Sequence, residues 1–168
     1  EHEHEDLEQT ILMISMMGNE HESYWKRRYL NESMDFTAPT AVFNSDPMER
    51  LFVWFGRLYM LVTAQLIKFE LELQSNASIL DLGCGNGFFC EILNALGFEK
   101  IVGADYCREA IYLCQKVRRH FRGQQPEEPA VWGTRYVVDD VLSTRLGRGG
   151  WDLIHDCGTL DRRFMLIL

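Results

Sequence analysis

The sequence predicts an α/β domain in which a parallel sheet is covered by helices. Two observations carry that expectation. From residue 77 onward, short apolar runs alternate with amphipathic stretches of helical period. The first of those runs, ASILDL (77–82), passes straight into Gly83-Cys84-Gly85-Asn86-Gly87. Glycine there packs nothing and weakens a strand, so something has to come close to the backbone. A length of 168 residues suits one domain with its own core.

Residues 1–20 form an acidic segment expected to be a disordered tail, with an apolar run ILMISMM (11–17) inside it. His2 and His4 read as part of that solvated tail, and no metal site is expected. SYWKRRYLNE (23–32) reads as a helix, with Tyr24, Arg27 and Arg28 one turn apart. Pro39 and Asp46-Pro47 mark a loop. Residues 48–73 give one long helical pattern that ends near Gln74-Ser75-Asn76.

The alternation then begins. ASILDL is a buried strand, and GFFCEILNALG (87–97) is a helix stopped by Gly97. KIVGAD (100–105) is a second strand. CREAIYLCQKVRRHF (107–121) is a helix that sets Ala110, Ile111, Cys114 and Val117 on one stripe. RGQQPEEP (122–129) is a polar loop. TRYVVDD (134–140) and WDLIHD (151–156) are the third and fourth strands. Strands spaced by helices in this way pair in parallel.

Composition narrows the function. A formal charge of −8 disfavours a nucleic-acid partner and leans toward a basic one. The five cysteines (84, 90, 107, 114, 157) are odd in number and contain no CxxC pair, which fits reduced thiols and a cytoplasmic setting, with the nucleus also open. The longest apolar stretch, 51–69, is interrupted by Arg57, Gln65 and Lys68, so no membrane partner is expected. The N-terminus lacks the basic region of a secretory signal.

In open α/β sheets, ligands lie beyond the carboxyl ends of the strands. Glycines in a strand–loop–helix turn let backbone N–H groups approach such a ligand, and the helix start favours negative charge. A dinucleotide loop reads GxGxxG. Here Phe88 stands where the third glycine of that pattern would fall, which better suits a ligand without a pyrophosphate. The dinucleotide reading stays open, because Asp105 at the end of the second strand also suits a nicotinamide ribose.

The run hydrophobic-x-Asp81-x-Gly83-x-Gly85-x-Gly87 resembles the first motif of the class I S-adenosylmethionine (AdoMet)-dependent methyltransferases, which implies a Rossmann-like sheet and AdoMet as cofactor. On that resemblance Asp81 faces the ligand's amino-acid end and the backbone of Gly83, Gly85 and Gly87 passes beneath it. Asp105, with Tyr106 beside it, meets the ribose hydroxyls. Asp139 or Asp140 receives the adenine amino group, Asp140 being preferred, with Val141 next to the ring.

Four stretches in order, SYWKRRY (23–29), VWFG (53–56), DLGCGNGFF with ADYCREAI, and HDCGTLD (155–161), resemble the protein-lysine methyltransferases that act on translation elongation factor 1-alpha. The likeness spans about residues 20–161 and implies that elongation factor as protein substrate. It places Trp54 and Phe55 near the cofactor entrance, and Asp156, Gly158 and Thr159 along the acceptor pocket. Asp156 would orient or contact the incoming ammonium; its competing reading is a cap on the following turn. Two positions depart from the family pattern. Arg57 stands where an acid follows Trp-Phe-Gly, and Cys157 stands between Asp156 and Gly158 where a lysine is usual. A small-molecule or other-protein methyltransferase, or a non-catalytic AdoMet-binding module, are the alternatives.

A class I sheet has seven strands in the order 3-2-1-4-5-7-6. The expectation is therefore a domain over 21–161, truncated after the fourth strand, with 162–168 (RRFMLIL in its last seven residues) as a terminal remnant. WDLIHD should be an exposed apolar edge, and the chain by itself weakly active or inactive.

Overall fold

The parallel sheet is built from β1 (Ser78–Leu82), β2 (Lys100–Asp105), β3 (Arg135–Val138) and β4 (Leu153–Asp156), and runs in the order β3-β2-β1-β4. The structure is a computed structural model that describes residues 22–39, 45–53, 55–122, 133–147, 149–157 and 159. All three strand pairs are parallel, and Asp81 of β1 stands opposite Gly103 of β2 on one side and His155 of β4 on the other. The order is the one expected for the first four strands.

Parallel neighbours need crossovers, and two helices supply them. Phe88–Ala95 leads from β1 to β2, and Arg108–Phe121 leads from β2 toward β3. The expected helix over 87–97 is trimmed at both ends: Gly87 takes the cap position at φ 79°, and Gly97, at φ 92°, follows the stop. The stripe Ala110, Ile111, Cys114 and Val117 is buried, as its spacing demands. In chain order the helices are α1 (22–37), α2 (Arg57–Phe69), α3 (Phe88–Ala95) and α4 (Arg108–Phe121). The core unites Met60, Ala64 and Ile67 of α2 with Ile79, Leu93, Phe98, Ile101 and Leu113.

One expectation is overturned. Residues 48–73 are not a single helix. A 3-10 turn, Pro47–Arg50, is capped by Asp46, whose Oδ1 accepts the Met48 N–H at 2.7 Å. The chain then runs extended at Leu51, and Gly56 adopts φ 86° immediately before α2. That left-handed backbone is incompatible with a continuous helix. Arg57 secures the break by donating to the carbonyls of Met48 and Leu51. Its guanidinium also lies 4.9 Å from the Phe88 ring centre. At the other end α2 stops at Phe69, and Glu72 is left-handed at φ 51°.

The third strand is also shorter than expected. Asp139 and Asp140 leave it to form caps: Asp140 precedes a 3-10 turn, Val141–Ser143. The acidic N-terminal segment, most of the 122–129 loop, and RRFMLIL lie outside the described residues. No described helix is long and apolar enough to cross a membrane, and the described residues hold no cluster fit for a metal. The five cysteines form no disulfide.

Candidate functional site

At the carboxyl edge of the sheet, Gly83–Gly87 joins β1 to α3 with φ of 64°, 56° and 79° at the three glycines. L side chains rarely adopt that region. Close approach is real as well, and it comes from the protein's own side chains. A Cβ at Gly83 would lie 1.6 Å from Thr159 Oγ1. At Gly85 it would lie 3.0 Å from Tyr29 Oη, and at Gly87 2.6 Å from Tyr136 Oη. Helix α1, strand β3 and the turn after β4 therefore all close on this loop.

Backbone and side-chain bonds hold the loop in place. Cys84 N–H donates to Ala104 O at 3.0 Å, and Gly85 N–H donates to Asp105 Oδ2 at 3.1 Å. The other oxygen of Asp105 accepts the Cys107 N–H at 2.8 Å. Burial pushes the Asp105 carboxyl up to about 6, although these two bonds pull the other way. Asn86 ties the loop to the N-terminal part of the chain: its amide donates to Glu32 Oε1 at 2.7 Å and to Phe52 O at 2.6 Å, while its oxygen accepts the Phe88 N–H. Burial raises the Glu32 carboxyl too.

Asp81 is turned inward. Its Oδ1 lies 2.7 Å from His155 Nδ1, and its Oδ2 accepts from Cys90 Sγ at 3.3 Å. The carboxylate is 2% exposed, and the Phe89 ring lies 4.1 Å from that of His155. Both oxygens are thus engaged within the protein, a different setting from a carboxylate facing a ligand. On the far side, Gly103 of β2 leaves room for the Tyr136 ring, its partner in the register. Tyr136 Oη reaches Gly87 O at 3.2 Å and donates to Glu91 Oε1 at 2.7 Å.

At the ends of β2 and β3, next in sequence to Asp105, a cavity of about 370 Å³ is lined by Glu22, Lys26, Tyr106, Cys107, Arg108, Glu109 and Val138. Small-molecule sites occupy roughly 300–1,000 Å³, so the size is adequate. Lys26 of α1 reaches Glu109 of α4 across it at 3.7 Å. A hollow of about 320 Å³ at the opposite edge, among Ser78, Lys100, Arg135 and Trp151, touches none of these groups.

The structure brings Gly83, Gly85, Gly87, Asp105 and Tyr106 together. Asp140 and Val141 stand at the neighbouring exit of β3, where Asp140 Oδ1 accepts the Leu142 N–H at 2.9 Å. Asp139 is likewise engaged, by Thr144 and by Arg145 N–H. Asp156 is exposed at the tip of β4 and accepts the Thr159 N–H at 2.9 Å, which is the cap geometry. Trp54 and Gly158 lie outside the described residues. Phe55 is exposed and stands 5.4 Å from the Tyr59 ring.

Sequence reading assigned no role to His155, Asn86, Glu32 or Tyr136. His155 and Asn86 lie inside the quoted motifs, but their partners are 74 and 54 residues away, beyond any local pattern.

A family model described as a methyltransferase domain matches residues 56–162. EEF1A lysine methyltransferase 2 of Homo sapiens is 32% identical over 111 residues, which is 65% of this chain and 42% of that protein. Protein-lysine N-methyltransferase EFM4 of Saccharomyces cerevisiae is 32% identical over 92 residues, 54% of this chain and 37% of that one. The chain spans about two fifths of the length of these relatives. The crystal structure of magnesium protoporphyrin IX methyltransferase from Synechocystis PCC 6803, with bound SAH, aligns at a TM-score of 0.55 and 13% identity, over 84% of this chain and 58% of that one. That likeness is one of fold.

Proposed function

The chain belongs to the methyltransferase-domain family, and from that premise we propose that it carries the AdoMet-binding part of a protein-lysine methyltransferase acting on translation elongation factor 1-alpha. The observation that carries the cofactor reading is the left-handed glycine loop bonded to Asp105, which ends β2 just before the cavity-lining Tyr106 and Cys107. The names of the curated relatives support lysine as the acceptor and the elongation factor as the substrate.

The residues present fit the cofactor. The backbone of Gly83, Gly85 and Gly87 would hold its amino-acid end, Asp105 the ribose, and Tyr106 the cavity wall, with Asp140 and Val141 toward the base and Trp54 toward the entrance. When bound, AdoMet supplies a methyl group on a cationic sulfonium, an electrophile for in-line displacement. What the chain contributes is position and dryness rather than proton chemistry on its own side chains. Asp105 accepts ribose hydroxyls best when ionised, so binding tightens as the pH rises through about 6. A free lysine has a pKa of about 10.4, so fewer than about one in a thousand is neutral at pH 7. An apolar acceptor pocket favours the neutral amine. Asp156, exposed at the tip of β4, would orient the incoming ammonium before that proton leaves. The charge of −8 suits a basic partner surface.

The test uses methyl-labelled AdoMet and purified elongation factor 1-alpha, followed by peptide mass spectrometry. Label on a lysine is the expected result. AdoMet binding without transfer would leave a binding module, and label on other lysate proteins would replace the substrate. AdoMet should also raise the melting temperature while NADH does not; the reverse would restore the dinucleotide reading.

A further inference from the structure

The two feet of the glycine loop are held by one buried cluster, and β4 supplies its centre. His155 stands opposite Asp81 in the β1–β4 register. Its Nδ1 lies 2.7 Å from Asp81 Oδ1, and since a carboxylate only accepts, Nδ1 carries the proton. Asp81 precedes Gly83 by two residues, so this bond fixes the strand side of the loop. On the helix side, the His155 ring lies against Phe89, and Cys90 Sγ donates to the second oxygen of Asp81. Phe89 and Cys90 directly follow the loop at the start of α3.

The same strand then returns to the loop from above. Asp156 accepts the Thr159 N–H, and Thr159 Oγ1 donates to Leu82 O at 3.1 Å. That hydroxyl fills the space a side chain at Gly83 would need. From Asp81 through His155, Asp156 and Thr159 to Leu82, the contacts form a closed circuit between β1 and the turn after β4.

We propose that His155 is a positioning residue that sets the height of Thr159 over Gly83 and so shapes the loop for its ligand. The residue sits on the strand that leads to the acceptor side, and so couples that side to the cofactor side. A pairing that only filled space would leave the loop indifferent to which ring nitrogen is reproduced. His155 holds Asp81 through Nδ1, with its ring packed on Phe89. Asparagine places an amide nitrogen near the position of Nδ1, whereas glutamine places one near Nε2.

The experiment compares wild type, His155→Asn, His155→Gln and the double variant Asp81→Asn with His155→Leu. The double variant removes the buried charge together with its partner, so that folding survives the loss of the bond. Circular dichroism and a cooperative melt confirm folding for each. Hydrogen exchange at the Cys84 and Gly85 amides is read without ligand, and AdoMet affinity by calorimetry. His155→Asn should lie nearer wild type than His155→Gln in both readouts, while His155→Gln and the folded double variant should exchange about tenfold faster and bind about tenfold more weakly. Wild-type exchange and affinity in the double variant would overturn the inference, and so would His155→Asn behaving like His155→Gln. The affinity readout rests on the AdoMet reading, whereas the exchange readout does not. Absence of heat with AdoMet in wild type would therefore sink that reading and still leave the exchange comparison to decide the role of His155.

Discussion

Leu80 and Ile154 stand opposite each other in adjacent strands, yet Leu80 is 4% exposed and Ile154 is 54% exposed. The two side chains have the same volume and occupy equivalent register positions. Their difference comes entirely from what covers them. β1 has a neighbouring strand on each side. β4 is the end strand among the described residues, and its burial alternates. An apolar strand residue marks the potential for burial, while its neighbours decide whether it is realised. The site follows the same division. Asp81, Asn86 and Asp105, in and beside the glycine loop, are buried, whereas Asp156 at the tip of β4 is exposed.

The sharpest way to break this comparison is to truncate the buried partner. Leu80→Ala should lower the free energy of unfolding by about 4 kcal/mol, from lost burial plus the cavity left behind. Urea denaturation of the variant measures it, and a loss below about 1 kcal/mol would mean that β1 is less enclosed than its geometry says.

A second test concerns the buried acid. Burial holds the Asp105 carboxyl at about 6 in the folded protein, against about 4 in the unfolded chain. The folded state therefore keeps this proton between pH 4 and 6, where the unfolded chain has lost it. The resulting stability is complete below about pH 4 and is lost as the pH rises through about 6, a change of about 3 kcal/mol for this group. Glu32 and Glu91, both raised by burial, act in the same direction. Asp105→Asn removes one such titration. Relative to wild type, the variant should gain about 2 kcal/mol on going from pH 4 to 6.5, whatever its offset at low pH. Urea midpoints across that range check it, and a difference that stays flat would contradict the buried-acid assignment.

The smallest effect belongs to the edge. Ile154→Ala should stay within about 0.5 kcal/mol of wild type, as surface substitutions do. Set beside Leu80→Ala, it isolates coverage as the variable. A loss comparable to that of Leu80→Ala would show that β4 is covered in solution.

Much of the architecture could be read locally. ASILDL and KIVGAD are strands, and the stripe Ala110, Ile111, Cys114, Val117 faces the core, because each pattern completes within one element. Gly97 ends α3 for the same reason. The failure at 48–73 is instructive. Apolar spacing ran through the segment, but a single left-handed glycine at 56 and the carbonyl bonds of Arg57 redirected the backbone. Arg57, a departure from the family pattern, has a structural place at that turn. In the site, Asp105 and Tyr106 were legible because each terminates or follows a recognisable strand beside a glycine loop. The engagement of Asp140 as a cap was not, since a strand-terminal aspartate reads the same whether it faces a ligand or its own backbone.

By itself the sequence determined the succession of strands and helices and the need for glycine at 83, 85 and 87, because side-chain period and backbone φ are properties of a few consecutive residues. Only the tertiary structure decided what those glycines admit and where Asp81 turns. Thr159, Tyr29 and Tyr136 arrive at the loop from three separate elements, and His155 meets Asp81 across 74 residues of chain. Parallel pairing brings such distant residues into register, and no local periodicity extends that far.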